Sequence, residues 1–124
     1  MHRWLAPTIA ALWLSASPVA VTAHHSVAGF FDPGTQVEIE GTVSVTRWRN
    51  PHTVFEVEVT SPSGAVTTWK IESGALGILR SRGLAREFVQ VGDTVRIMGD
   101  ASLRSDNEMF ARNMLLSNGK EVML

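Results

Sequence analysis

The chain has 124 residues, with 11 Lys+Arg against 12 Asp+Glu, and it contains neither cysteine nor tyrosine. Without cysteine there are no disulfides, no thiolate metal sites and no thiol nucleophile, so stability rests on packing and sheet hydrogen bonds. The near-neutral, slightly acidic balance lacks the basic excess of a nucleic-acid binder, so no nucleic-acid partner is expected.

In chain order, Met1-His2-Arg3 gives a positive start, and Trp4 to Leu14 follows as a short apolar run. Ser15 to Ala23 is small-residue sequence ending Val21-Thr22-Ala23. This three-part layout predicts a cleaved signal peptide over residues 1–23, cut after Ala23 or, one residue earlier, after Thr22. The apolar run is shorter than the roughly 20 residues needed to span a bilayer as a helix. The expected product is therefore periplasmic or secreted, with no stable membrane insertion after cleavage.

An N-terminal arm is expected over residues 24–35, with a turn at Asp32-Pro33-Gly34, followed by a single domain over 36–124. From Gln36, Val37, Ile39, Val43 and Val45 alternate with polar residues as a first strand, which Gly41 interrupts as a bulge or barrel bend. Asn50-Pro51 stops that strand, and Phe55, Val57 and Val59 mark a second. Ser61-Pro62-Ser63-Gly64 reads as a hairpin turn, and Val66 to Glu72 as a third strand with Trp69 and Ile71 on one face. The period then changes to a short helix over Gly74 to Arg82, capped by Ser73 and ended by Gly83. Thr94 to Ala101 and Glu108 to Leu116 are further strands, and Asn118-Gly119 turns into a short last one. The expected fold is mainly β: a small five- to six-stranded OB-like barrel with one short helix between strands three and four. An open α+β sheet is the alternative.

Cleavage after Ala23 makes His24 the first residue, whose α-amino nitrogen and imidazole can grip one metal ion together. The amine titrates near neutrality and nitrogen donors favour Cu(II), so copper is the expected metal. His52, in the loop after Asn50-Pro51, is the candidate third nitrogen, and His25 is the other nearby imidazole. Cleavage before Ala23 would instead put His24 second and His25 third, where the third imidazole, the amine and two amides suit the same metal. Glu72 is a candidate carboxylate at the end of the third strand. Trp48, opposite in parity to Val43 and Val45, is expected either to line a ligand or partner face with Arg47, Arg49 and Asn50, or to cover the barrel end. Met98, Met109, Met114 and Met123 read as core filling, although Met109 and Met114, five apart, face opposite sides of a regular strand. Glu38/Glu40 and Glu56/Glu58 read as a solvated sheet face.

His24-His25-Ser26, Phe31-Asp32, Gly41-Thr42-Val43 and Trp48-x-Asn50-Pro51-His52 together resemble a family of small exported bacterial proteins of unknown function. Trp69-x-x-Glu72-x-Gly74, Arg82-Gly83 and Val91-Gly92-Asp93-x-Val95 continue the resemblance. It implies an exported β-rich domain and singles out His24, His25, Asn50, Pro51, His52 and Glu72, without supplying an activity. Arg49 and Leu84 depart from its pattern, where a small or apolar residue and a tryptophan are expected. The sequence contains no recognisable catalytic set, and a non-enzymatic reading is preferred. The alternative to a metal domain is a module that holds a periplasmic protein or small ligand.

Overall fold

The computed structural model describes residues 27–124. The expected signal peptide, His24 and His25 lie outside the described residues. A 3-10 turn, Val27–Gly29, leads into β1 (Phe31–Arg47), β2 (Val54–Thr60) and β3 (Val66–Glu72). A short helix, α1 (Leu76–Ser81), precedes β4 (Thr94–Ser102), β5 (Glu108–Leu115) and β6 (Glu121–Met123). The strands run β3-β2-β1-β4-β5-β6, and a parallel β3–β5 pairing closes the ring. This is the expected OB-like barrel, with β6 as an added edge strand on β5. Among the described residues no helix is long and apolar enough to cross a membrane.

β1 is long because it serves two neighbours. Its first part, up to Thr42, pairs with β4, and from Thr42 onward it pairs with β2. The change of partner needs close approach at Gly41, where an added Cβ would lie 2.3 Å from the Glu58 carbonyl oxygen. The strand also begins earlier than expected. Phe31 and Asp32 already pair with Ser102 and Ala101, and the Asp32-Pro33-Gly34 turn is a bulge within β1. The Asp32 carboxylate holds it, accepting hydrogen bonds from Gly34 N (2.9 Å) and Thr35 Oγ1 (2.6 Å). Phe31 is thereby buried against Phe110.

Two further bulges reset the side-chain alternation. The β1–β2 register passes from Val43↔Val57 to Val45↔Glu56, leaving Ser44 unpaired. Beyond it, Thr46 stands opposite the buried Phe55, so even-numbered residues now face inward. In β5, Asn113 pairs with Met98 and Ala111 with Gly99, which leaves Arg112 as the extra residue. Met109 and Met114 are consequently both fully buried despite their odd spacing. They pack with Val43, Phe55, Val57, Ile71, Val95 and Ile97 in one core.

The helix is shorter than the sequence suggests, and Ser73 does not cap it. Ala75 occupies the N-cap position, while Asn50 Oδ1 accepts a hydrogen bond from Leu76 N at 3.0 Å. Ser73 is buried, its amide donating to Thr53 O. At the other end Gly83, at φ 78°, lets its own amide reach Arg80 O and that of Leu84 reach Leu79 O. That pair of bonds is the left-handed stop expected of a glycine after a helix.

Gly41→Val should drive a side chain into Glu58 and lower unfolding stability by about 1–3 kcal/mol, as overpacking does. A wild-type denaturation midpoint would show that β1 does not bend there. Met114→Ala should cost about 2–5 kcal/mol, whereas the exposed Met123 should tolerate alanine with little change. Equal effects in urea melts would contradict the parity reset at Arg112.

Candidate functional site

The best-organised polar cluster forms where two loops leave the barrel side by side. The link from β1 to β2 and the link from β3 to α1 are stitched by backbone hydrogen bonds. Thr53 N donates to Gly74 O (3.2 Å), and Ser73 N donates to Thr53 O (2.9 Å). Asn50, whose peptide to Pro51 is cis, adds its side-chain bond to Leu76. Asn50, Pro51 and His52 are thereby held against the end of β3, with Val54 and Glu72 register partners.

His52 Nδ1 lies 3.0 Å from Glu72 Oε2. The other Glu72 oxygen, Oε1, accepts a hydrogen bond from Lys70 Nζ at 2.8 Å. Burial pushes the Glu72 carboxyl up, but the hydrogen bonds from Lys70 and His52 outweigh it, holding the group below its ordinary value of 4.5. At neutral pH Glu72 is therefore an ionised, purely accepting carboxylate. It follows that Nδ1 carries the proton and donates it to Glu72. In the neutral ring this leaves Nε2 with a free lone pair. The ring stands edge-on to Phe110, 5.6 Å between centroids. A cleft of about 260 Å³ opens beside it, lined by Arg49, Asn50, Pro51, His52, Lys70 and Glu72.

A second acid supports the first. The parallel β3–β5 pairing sets Lys70 opposite Glu108 and Glu72 opposite Phe110. Lys70 Nζ bridges the two acids, 2.8 Å from Glu108 Oε1 as well, and its pKa is raised by Glu108 and then by Glu72. Ser102 Oγ donates to Glu108 Oε2 (2.9 Å). Arg104 donates to Glu108 Oε1 (3.2 Å) and stands 3.7 Å from Glu72 Oε1. The Lys70, Arg104, Glu108 and Phe110 contributions are absent from the sequence reading. Their only signal would have been the parallel strand pairing, which no local pattern carries.

The other candidates are distributed. Trp48 turns inward after the Ser44 bulge and packs edge-on against Phe55 and Phe88, each 5.5 Å between centroids, so it covers the barrel end. Arg47 is 2.6 Å from Glu56 on the strand surface, and Arg49 lines the His52 cleft. Glu40 pairs with Arg96 on the exposed sheet face. Among the described residues no three His, Asp or Glu side chains converge on a metal position.

Because its folded pKa is depressed, ionised Glu72 stabilises the fold above about 4.5, and that contribution is lost as the pH falls through the lower folded value. Thermal melts should therefore show Glu72→Gln less stable than wild type at neutral pH, with the gap narrowing in acid. A gap that stays constant down to about pH 3 would mean the carboxylate contributes nothing through its charge.

No curated protein matches the chain in sequence. By fold, it is similar to the mitochondrial single-stranded DNA-binding protein Rim1 of S. cerevisiae. One crystal form superposes with TM-score 0.52 at 13% identity, covering 67% of this chain and 93% of the other. A second form gives TM-score 0.52 at 14% identity, covering 67% and 92%. These likenesses show the fold. They also overturn the exclusion of nucleic acid drawn from composition, since net charge sums over the whole surface whereas a binding face is local. A family model described as a family of unknown function, DUF6152, matches residues 12–109, a span that takes in His24, His25, Asn50, Pro51, His52 and Glu72. The chain belongs to this family of unknown function.

Proposed function

We propose that the mature protein is an exported copper-binding domain, in which His24 chelates through its amine and ring and His52 Nε2 supplies a further nitrogen. The observation that carries this reading is the His52–Glu72 pair. A carboxylate accepting from one ring nitrogen fixes the tautomer, orients the ring and raises the basicity of the other nitrogen, as it does behind many metal-bound histidines. Glu72 thus acts behind the metal ligand and needs no contact with the ion.

The start of the described chain supports a meeting of the two halves. The Phe31 ring packs at a tilt against Phe110, 5.6 Å between centroids, and Phe110 meets His52 edge-on at 5.6 Å. His25 precedes Val27, which lines a cleft with Ala28, Phe31 and Phe110, by two residues, a stretch that reaches up to about 7 Å at roughly 3.3–3.6 Å per residue. Nitrogen donors and an amine favour Cu(II) over the other divalent ions. On this reading the signal peptide is removed after Ala23 and the domain works in the periplasm or outside the cell.

The test is Cu(II) titration of mature protein whose N-terminus is confirmed by intact mass, with calorimetry and electron paramagnetic resonance. One tight equivalent with nitrogen hyperfine structure is expected. His24→Ala, or one extra residue before His24, should remove most of the affinity. His52→Ala should keep the terminal chelate but lose one nitrogen coupling. Undiminished binding behind an added residue would sink the proposal, and no binding beyond weak surface affinity would move a metal-free partner or ligand module to first place.

A further inference from the structure

The cleft beside His52 has more hydrogen-bonding capacity than its own side chains use. Arg49 lines it, is exposed, and pairs with no acid among the described residues. Asn50 engages its Oδ1 with Leu76 N, which leaves the Nδ2 hydrogens as donors. Lys70 Nζ gives two of its three N–H donors to Glu72 and Glu108, each at 2.8 Å. His52 offers the opposite function, since Nδ1 donates to Glu72 and Nε2 of the neutral ring accepts. Both Glu72 oxygens already accept a bond, from Lys70 and from His52. Around the cleft Arg49, Lys70 and Arg104 stand against Glu72 and Glu108, three positive charges to two negative, an excess of one. Pro51 and Val54 supply an apolar wall. A cleft of about 260 Å³ holds the volume of about nine waters, which restricts the occupant to a small molecule.

We propose that this cleft binds a small hydroxycarboxylate, its carboxylate on Arg49 and its hydroxyl donating to His52 Nε2. The site needs no metal and uses only side chains that line the cleft. A guanidinium fork matches a carboxylate, and Asn50 Nδ2 and the remaining Lys70 N–H are further donors for the same anion. Nε2 accepts and does not donate, so the group facing it must carry a hydrogen. A hydroxyl satisfies that condition without changing the charge. An ammonium also carries hydrogen, but an amino acid is then net neutral and leaves the single positive excess unmatched. A phosphate monoester brings about 1.5 to 2 negative charges at neutral pH, more than that excess. Discrimination at Nε2 is modest, because the His52 side chain is 31% exposed and water can replace an absent hydroxyl.

The experiment titrates metal-free mature protein with lactate, propionate, alanine and inorganic phosphate, followed by nuclear magnetic resonance. Lactate, propionate and alanine differ only in presenting a hydroxyl, a hydrogen or an ammonium beside the same carboxylate. Lactate should shift the Asn50 side-chain amide and the His52 ring in a saturable way. Propionate should bind the same residues several-fold, up to about tenfold, more weakly, the range of one net hydrogen bond. Arg49→Gln, a change at an exposed and unpaired side chain, should weaken both acids by about tenfold or more, as loss of a charged hydrogen-bond partner does. His52→Phe should bring lactate down to the propionate level and leave propionate unchanged. Equal binding of lactate with propionate or alanine, tighter binding of phosphate, or wild-type lactate affinity in Arg49→Gln would each overturn the proposal. So would shifts that miss Asn50 and His52, or no shift at about 50 mM lactate, a concentration well above a millimolar dissociation constant. Because no metal is present, failure of copper binding leaves this result standing, and the reverse holds equally.

Discussion

The parallel pairing of β3 with β5 is the constraint on which the rest of the molecule hangs. It spans only Lys70↔Glu108, Ile71↔Met109 and Glu72↔Phe110, yet it turns a sheet into a ring. Ile71 and Met109 face the core there and are fully buried. Their neighbours of opposite parity face outward and become the site: Lys70 between two acids, Glu72 behind His52, and Phe110 under the imidazole ring. Closure and site are thus two faces of the same three residue pairs. Without the closure, Glu108 and Phe110 would have no reason to stand beside Glu72, and the carboxylate would lose much of its surrounding polar network.

The bulges are the second organising device. A strand that must bend around a small barrel cannot keep perfect alternation, and each extra residue exchanges the inner and outer faces beyond it. At Ser44 this turns Trp48 from an outward side chain into a lid on Phe55 and Phe88. At Arg112 it gives Met109 and Met114 the same buried side. At Asp32 it disguises the head of β1 as a loop, because the turn chemistry of Asp-Pro-Gly is satisfied locally while pairing to β4 continues around it. Gly41 and Gly99 serve the same bending, being positions where a Cβ would meet a neighbouring carbonyl oxygen at 2.3 Å.

The head of the described chain and the His52 loop meet at one aromatic ring. The chain enters the barrel beside Phe110, with Val27, Ala28 and Phe31 lining one cleft against that ring. His52 meets the same ring edge-on. Phe110 is thus shared between the entrance of the chain and the candidate ligand. Arg104 reinforces the arrangement from the side, stacked on Phe30 and bonded to Glu108. Glu72 orients the His52 ring, while Glu108 holds the Arg104 that stacks on Phe30.

Much of the fold was legible in the sequence because its signals are local. Valine and isoleucine alternation marked the strands, Asn118-Gly119 and Ser61 to Gly64 marked hairpins, and Gly83 marked the helix stop; each depends on neighbours in the chain. The order of three strands, a helix and further strands was enough to suggest an OB-like barrel. The candidate residues Asn50, His52 and Glu72 were also legible as motifs, though not as one group. Tertiary structure alone decided that Asn50 caps α1, that His52 donates to Glu72, and that Lys70, Arg104, Glu108 and Phe110 complete the cluster. It alone decided the face presented by Trp48 and by Met114. The reason is physical: these outcomes depend on a parallel pairing between residues nearly forty positions apart and on single-residue bulges that curvature imposes, and neither leaves a periodic trace in the chain.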